Sequence, residues 1–245
     1  MGVNEISLGV WAIEASGLSK SFGIRHALLD VNFKIRKGSH LTIFGPNGAG
    51  KTTLIKILST ISKPSSGATL IDGTDTRHAP EQIRSKLGVV SHSTFLYNNL
   101  TVSENLRFYG QMFGVTDIEN RIKEVISQVQ LSSRLHDRVG TLSHGMQRRV
   151  SMARAVLHNP SVLLLDEPEA GLDPRATEVM SDILEAINSG ERTVVMTTHN
   201  LERGLELSDE VIILHEGKVV YQASRQEVDA ASFRQTYNRC TGMSA

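Results

Sequence analysis

The sequence predicts an α/β fold with a mainly parallel sheet, a small antiparallel β subdomain near the N-terminus and an inserted α-helical subdomain. Three observations predict it. Short apolar runs alternate with segments of helical period, the pattern of βαβ units. One apolar run, Leu41 to Phe44, stops at a Gly-rich turn and is followed by a helix-period segment. Between about residues 92 and 158 strand-like alternation all but disappears, and helical periodicity takes its place.

Along the chain, Trp11 to Leu18 and Val31 to Ile35 have strand texture and precede the Gly-rich turn, which suits a small antiparallel sheet. Thr53 to Ile61 carries Leu54, Ile57, Leu58 and Ile61 at helical spacing. Val102 to Phe113 and Ile118 to Leu131 form the helical insertion. Val162 to Leu165, Thr193 to Thr197 and Glu210 to Leu214 are apolar runs suited to buried strands. The last is followed by the turn Glu216-Gly217-Lys218 and then Val219 to Tyr221, a hairpin pattern. These elements make one domain, residues 11–225, with a core at 11–91 and 159–225, the helical subdomain at about 92–158 and a C-terminal tail at 226–245.

Composition narrows the class. The chain has 245 residues, enough to bury a substantial core, and 40% of them are hydrophobic, as in an ordinary globular protein. Lys plus Arg equals Asp plus Glu at 26 each, so the broad basic field of a nucleic-acid clamp is absent and no nucleic-acid partner is expected. The longest uncharged run, Leu87 to Ser103, is broken by Ser, His, Thr and Asn and cannot span a bilayer. The N-terminus lacks a secretory pattern, and its Met1-Gly2 start has Ile6 where myristoylation wants Ser or Thr. Membrane contact is therefore expected only through a partner. The single Cys240 reads as a surface thiol in a reducing compartment, and the nine histidines show no paired spacing for heme or metal.

The chemistry concentrates at the Gly-rich turn. Gly45-Pro46-Asn47-Gly48-Ala49-Gly50-Lys51-Thr52 satisfies G-x-x-x-x-G-K-[ST] between a strand and a helix, with Thr53 continuing into that helix. Its backbone N–H groups and the dipole of the helix beginning near Lys51 suit phosphate, Lys51 reaches the terminal phosphates, and Thr52 offers a hydroxyl to Mg²⁺. A second metal anchor is expected at Asp166, at the end of the Val162–Leu165 strand. The adjacent Glu167 points the other way in an extended chain and is placed to act as base for the attacking water. His199, just beyond the Thr193–Thr197 strand, can address the γ-phosphate or that water.

With these motifs in order, the chain resembles the nucleotide-binding subunit of an ABC transporter, and the resemblance runs over nearly its whole length. Leu142-Ser143-His144-Gly145-Met146 is similar to the family's L-S-G-G-Q signature at three of five positions. The resemblance implies that Ser143, His144 and Gly145 form a turn, with the Ser hydroxyl and the Gly145 backbone meeting the γ-phosphate of ATP held by an opposing copy. It also implies that Phe22 stacks on adenine, with simple core packing, common for a lone aromatic, as the lesser alternative. Ala170-Gly171-Leu172-Asp173 resembles the D-loop, where Asp173 communicates across the dimer. Glu167 matches the catalytic glutamate and His199 the switch histidine. Glu169 stands where the family tends to have a small or neutral residue, and nothing in the sequence explains it. His92 takes the position of the Q-loop glutamine. Imidazole is a poorer Mg²⁺ ligand than an amide oxygen, which leaves water-mediated contact open.

The phrases Val90 to Tyr97, Glu104 to Tyr109 and Leu142 to Arg149 resemble one subgroup most, the heme exporter ATP-binding subunit of bacterial cytochrome c maturation. The implied protein is an ATP hydrolase using ATP and Mg²⁺, working as a homodimer or with a related ATPase subunit. It would sit on the cytoplasmic face of the cell membrane against an integral membrane transporter subunit. Other exporters, of drugs, lipids or polysaccharides, share most of these features. A non-hydrolysing regulatory cassette is a further alternative, motivated by His92, His144 and Met146. A P-loop kinase has no use for Ser143, Asp173 and His199 in this order, and a DNA-repair ATPase would add a coiled coil or a second cassette.

Overall fold

The computed structural model describes residues 10–187 and 192–242, without the side chains of Pro174 and Ile187. The Met1-Gly2 start and Ile6 lie outside the described residues. The elements run β1 (Trp11–Phe22), β2 (Arg25–Arg36), β3 (His40–Phe44), α1 (Lys51–Leu58), β4 (Ser66–Ile71), β5 (Thr74–Asp75), α2 (Pro80–Arg84) and β6 (Leu87–Val90). Then follow α3 (Val102–Met112), α4 (Ile118–Gln128), α5 (His144–Val156), β7 (Val162–Asp166), α6 (Pro174–Ile187), β8 (Thr193–Thr198), α7 (Leu201–Leu207), β9 (Glu210–His215), β10 (Lys218–Ser224) and α8 (Phe233–Thr241).

Two sheets result. The smaller is antiparallel in the order β2-β1-β4-β5, and the larger is ordered β10-β9-β3-β8-β7-β6. In the larger sheet β9, β3, β8, β7 and β6 are parallel, and β10 closes one edge as the antiparallel arm of a hairpin with β9. The apolar runs explain this: every residue of β3, β7 and β8 is buried, as strands covered on both faces require. Burying each Val or Leu side chain in those strands contributes roughly 1.5–3 kcal/mol.

The strand-to-helix step at the Gly-rich turn differs in detail from the expectation. The helix begins at Lys51, ahead of the helical spacing that shows from Thr53, because Gly50 holds φ 109 and turns the chain directly into it. It ends at Leu58 and not at Ile61, since Thr60 turns left-handed with φ 61 and Ile61 faces solvent. The second insertion helix likewise stops at Gln128, before the left-handed Gln130, while Val129 and Leu131 still reach the core.

The helical elements α3, α4 and α5 share one apolar cluster, in which Leu106, Ile122, Val125 and Val150 meet Leu163 and Leu165 of β7. A capping box starts α3: Thr101 N–H donates to Glu104 Oε2 at 2.7 Å and Glu104 N–H to Thr101 Oγ1 at 3.1 Å. The buried Asn105 clamps the preceding loop, accepting from Tyr97 N–H at 2.8 Å and donating to the Tyr97 carbonyl at 3.0 Å. That loop carries His92 and is thereby tied to the helical subdomain.

Residues 226–245, expected as a tail, carry α8, which packs against the central sheet. Phe233 and Tyr237 are buried with Phe44, Val211 and Ile213, and the Phe233 ring lies 5.2 Å from that of Phe44. Cys240 is half-buried against the same cluster and is not the open surface thiol the sequence implied. Among the described residues no helix is long and apolar enough to cross a membrane.

Candidate functional site

The loop between β3 and α1 wraps the mouth of a cavity of about 540 Å³. Pro46, Asn47, Gly48, Ala49, Gly50, Lys51, Thr52 and Thr53 line it together with Phe22, His92, Asp166 and Glu167. Elements far apart in sequence converge here because β3 and β7 flank β8 in parallel, so their carboxyl ends lie side by side. Gly50 must be glycine twice over: its φ is 109, and a Cβ there would stand 2.4 Å from the Ala27 carbonyl oxygen.

Lys51 is buried and held from three sides. Its Nζ donates to the carbonyls of Gly45 at 2.7 Å and Pro46 at 3.2 Å, and pairs with Glu167 Oε1 at 3.1 Å. The other carboxylate oxygen, Oε2, lies 3.7 Å from His199 Nδ1. Glu167 sits in the left-handed region with φ 48, so it does not continue the strand's alternation. Its N–H donates to the Thr197 hydroxyl at 3.0 Å and to the Thr197 carbonyl at 3.1 Å. The same hydroxyl donates to Asp166 Oδ1 at 2.8 Å. A buried threonine on β8 therefore orients both acids at once, a role that no local motif in the sequence marks.

Asp166 is only 4% exposed yet borders the cavity. With Thr52 it offers a carboxylate and a hydroxyl, hard oxygen donors of the kind Mg²⁺ takes. Among the described residues no cluster of three or more His, Cys, Asp or Glu forms a closed metal cage. Thr52 and Asp166 are the residues that would hold such an ion.

Phe22 is 58% exposed at the cavity rim, so the core alternative is excluded, and Lys20 Nζ stands 5.0 Å from its ring centre. Arg25 and His26, at the start of β2, line the same cavity and were missed because no motif marks them.

Ser143, His144, Gly145 and Asp173 do not join this cavity. They line another of about 440 Å³, with Leu172 and Arg175. Ser143 and Asp173 are both helix caps: Ser143 Oγ accepts from Met146 N–H at 3.3 Å, and Asp173 Oδ1 from Ala176 N–H at 2.9 Å. Between the two sites a smaller cavity of about 230 Å³ is bordered by Glu167, Glu169, Gly171 and His199. Glu169, unexplained in sequence, accepts from Ser181 Oγ at 3.2 Å, and that hydroxyl accepts from Arg203 Nε at 2.7 Å. Burial pushes the Glu169 carboxyl above its usual range, against the pull of the Ser181 hydrogen bond. The chain Glu169–Ser181–Arg203 fastens the segment after β7 to α6 and to the first turn of α7, next to His199.

A phosphate-binding loop at the carboxyl end of a parallel sheet, a buried lysine and two acids at the next-but-one strand end define a P-loop nucleotide-hydrolysing protein. The comparisons sharpen that class: the ABC transporter family matches residues 28–170, and the chain belongs to it. It is 33% identical over 205 residues to the ABC transporter ATP-binding protein NatA of Bacillus subtilis (strain 168), covering 82% of this chain and 83% of that protein. It is 35% identical over 216 residues to the Nod factor export ATP-binding protein I of Rhizobium johnstonii, covering 87% of this chain and 70% of that protein. Its fold is similar to the dimeric structure of a post-hydrolysis state of an ATP-binding cassette bound to ADP and Pi, with a TM-score of 0.81 and 27% identity, over 88% of this chain and all of that one. The protein is an ABC-type ATP hydrolase.

Proposed function

We propose that the chain is the ATP-hydrolysing subunit of an exporter, acting as a pair of copies, or beside a related subunit, on the cytoplasmic face of the cell membrane. In this reading each ATP lies between the Gly45–Thr52 loop of one copy and the start of α5, Ser143–Gly145, of the other; the turn expected there is the capped first turn of that helix. The observation that carries it is the division of the motifs between two cavities: Lys51, Thr52, Asp166 and Glu167 border one, Ser143, Gly145 and Asp173 another.

Lys51 and the α1 dipole neutralise the phosphates, while Phe22 stacks on the base. Thr52 and Asp166 would hold Mg²⁺, which would supply charge neutralisation of the phosphates. Glu167 takes the proton of the attacking water, and His199, beside Glu167, steadies the γ-phosphate oxygens. The α3–α5 subdomain carries the opening and closing of the pair to an integral membrane subunit. A non-hydrolysing cassette would not need Lys51 and His199 on either side of the Glu167 carboxylate, with Asp166 beside it.

Heme is the proposed cargo, supported by the likeness of Val90–Tyr97, Glu104–Tyr109 and Leu142–Arg149 to heme-exporter subunits. A second reading, export of a drug, lipid or polysaccharide, is favoured by the similarity to a Nod factor export protein. Purification from the native membrane in mild detergent, followed by ATPase assays with and without heme, separates them. A small multi-span partner with heme-stimulated hydrolysis supports heme; a different exporter subunit and indifference to heme overturn that cargo and leave the ATPase standing.

A further inference from the structure

His92 borders the phosphate-loop cavity, and what lies behind its ring decides its chemistry. Arg148, on α5 and fully buried, directs Nη1 to the Ser91 carbonyl and Nη2 to His92 Nδ1, the latter at 3.3 Å. A guanidinium has five N–H donors and no acceptor, so this contact exists only if Nδ1 is the unprotonated nitrogen. A neutral imidazole with an acceptor Nδ1 carries its hydrogen on Nε2. Nδ1 is then occupied, and Nε2–H has no lone pair to give a cation.

We propose that Arg148 fixes His92 in the Nε2–H form, making His92 a hydrogen-bond donor to a phosphate oxygen of bound nucleotide and excluding it as a Mg²⁺ ligand. The proposal rests on the reading of this cavity as the ATP site. Its logic is that of an outer partner setting the tautomer of a functional histidine. Arg148 is suited to the task because it does not lose its proton, and Ser91 next door fixes its orientation through a second hydrogen bond. The contact also joins the cavity to α5, the helix whose first turn contains His144, Gly145 and Met146. A donor at His92 matches an anionic ligand, whereas a lone pair there would face phosphate oxygens with like polarity.

The test uses the full chain with Mn²⁺ and the non-hydrolysable analogue AMP-PNP. Nitrogen-15 correlation spectra of labelled histidine should show His92, assigned by loss of its signal in His92→Gln, with a pyridine-type Nδ1 and a pyrrole-type Nε2. In Arg148→Met that pattern should give way to a tautomer mixture. Electron–nuclear double resonance of bound Mn²⁺ should show no imidazole nitrogen coupling that His92→Gln removes. His92→Phe should weaken AMP-PNP binding about tenfold, with His92→Gln recovering most of it through its amide donor. A pyrrole-type Nδ1 in the wild type, or a manganese–nitrogen coupling lost in His92→Gln, overturns the proposal. Failure of AMP-PNP to bind the wild type, or equal binding by Lys51→Ala, overturns the ATP-site reading itself. Should Arg148→Met not fold, the wild-type spectrum and the manganese coupling still decide.

Discussion

Lys51 Nζ and Glu167 Oε1 stand 3.1 Å apart, joining the first residue of α1 to the residue that follows β7. The phosphate-binding cation and the proposed base are thus neighbours before any chemistry, and each conditions what the other can do.

Replacing Glu167 by Gln keeps the shape and the hydrogen-bonding oxygen but removes the basic carboxylate. Steady-state hydrolysis should fall by about a hundredfold or more, while ATP binding survives. Size-exclusion chromatography with ATP should then show an accumulated dimer. Hydrolysis at the wild-type rate in this variant would remove Glu167 from its role.

Lys51→Ala takes away the buried charge at the loop and leaves Glu167 without its closest cation. Nucleotide affinity, measured by calorimetry, should drop by at least about tenfold, the scale of one lost charge-assisted contact to phosphate. An unchanged affinity would mean that the backbone N–H groups and the α1 dipole suffice.

Gly204, in α7, lies against the aromatic ring that ends β3. A Cβ at this position would come within 2.4 Å of Phe44 Cε1 and 2.9 Å of Thr198 Cγ2. Gly204→Ala should therefore cost roughly 1–3 kcal/mol, the usual scale of overpacking. The shift should appear in the urea midpoint. A midpoint equal to the wild type would show that α7 can slide off the sheet without penalty.

His40, at the start of β3, is 2% exposed, and burial holds its pKa down at about 4 despite the opposing pull of Asp209. The folded value lies below the unfolded one, so the unfolded chain binds the extra proton first as pH falls. Stability is fully present above about pH 6.5 and is lost between there and pH 4, by about 2 kcal/mol at pH 5. Urea unfolding at pH 7.5 and pH 5 should show this loss in the wild type and a smaller one in His40→Leu. Equal losses in both proteins would assign the acid sensitivity elsewhere.

Much of the fold was legible because buried parallel strands are written as uninterrupted apolar runs, as in Val162 to Leu165 and Thr193 to Thr197. In the smaller sheet β1 and β2 were read too short, since register shifts along them interrupt the alternation that marks a strand, and β4 and β5 were not read. The short β6 passed unnoticed: four residues with a glycine among them carry little periodic signal. The helix α8 escaped because only Phe233, Tyr237 and Thr241, four residues apart, face inward from an otherwise polar segment. At the site, the loop motif and the two acids stood out as local patterns. The grip of Thr197 on both acids, and of Arg148 on His92, could not be read, because each joins segments that only the folded sheet and helices bring together.

The Phe44–Phe233 contact carries an implication for how the protein comes into being. Phe44 is the last residue of the central strand before the phosphate loop, and its ring is braced by a residue that follows almost the entire sheet in sequence. Such a long-range contact forms late, after the intervening chain has been threaded into place. A ribosome-tethered fragment ending before α8 would hold the whole nucleotide motif, its strand paired with β8 and β9 but lacking the Phe233 ring against Phe44.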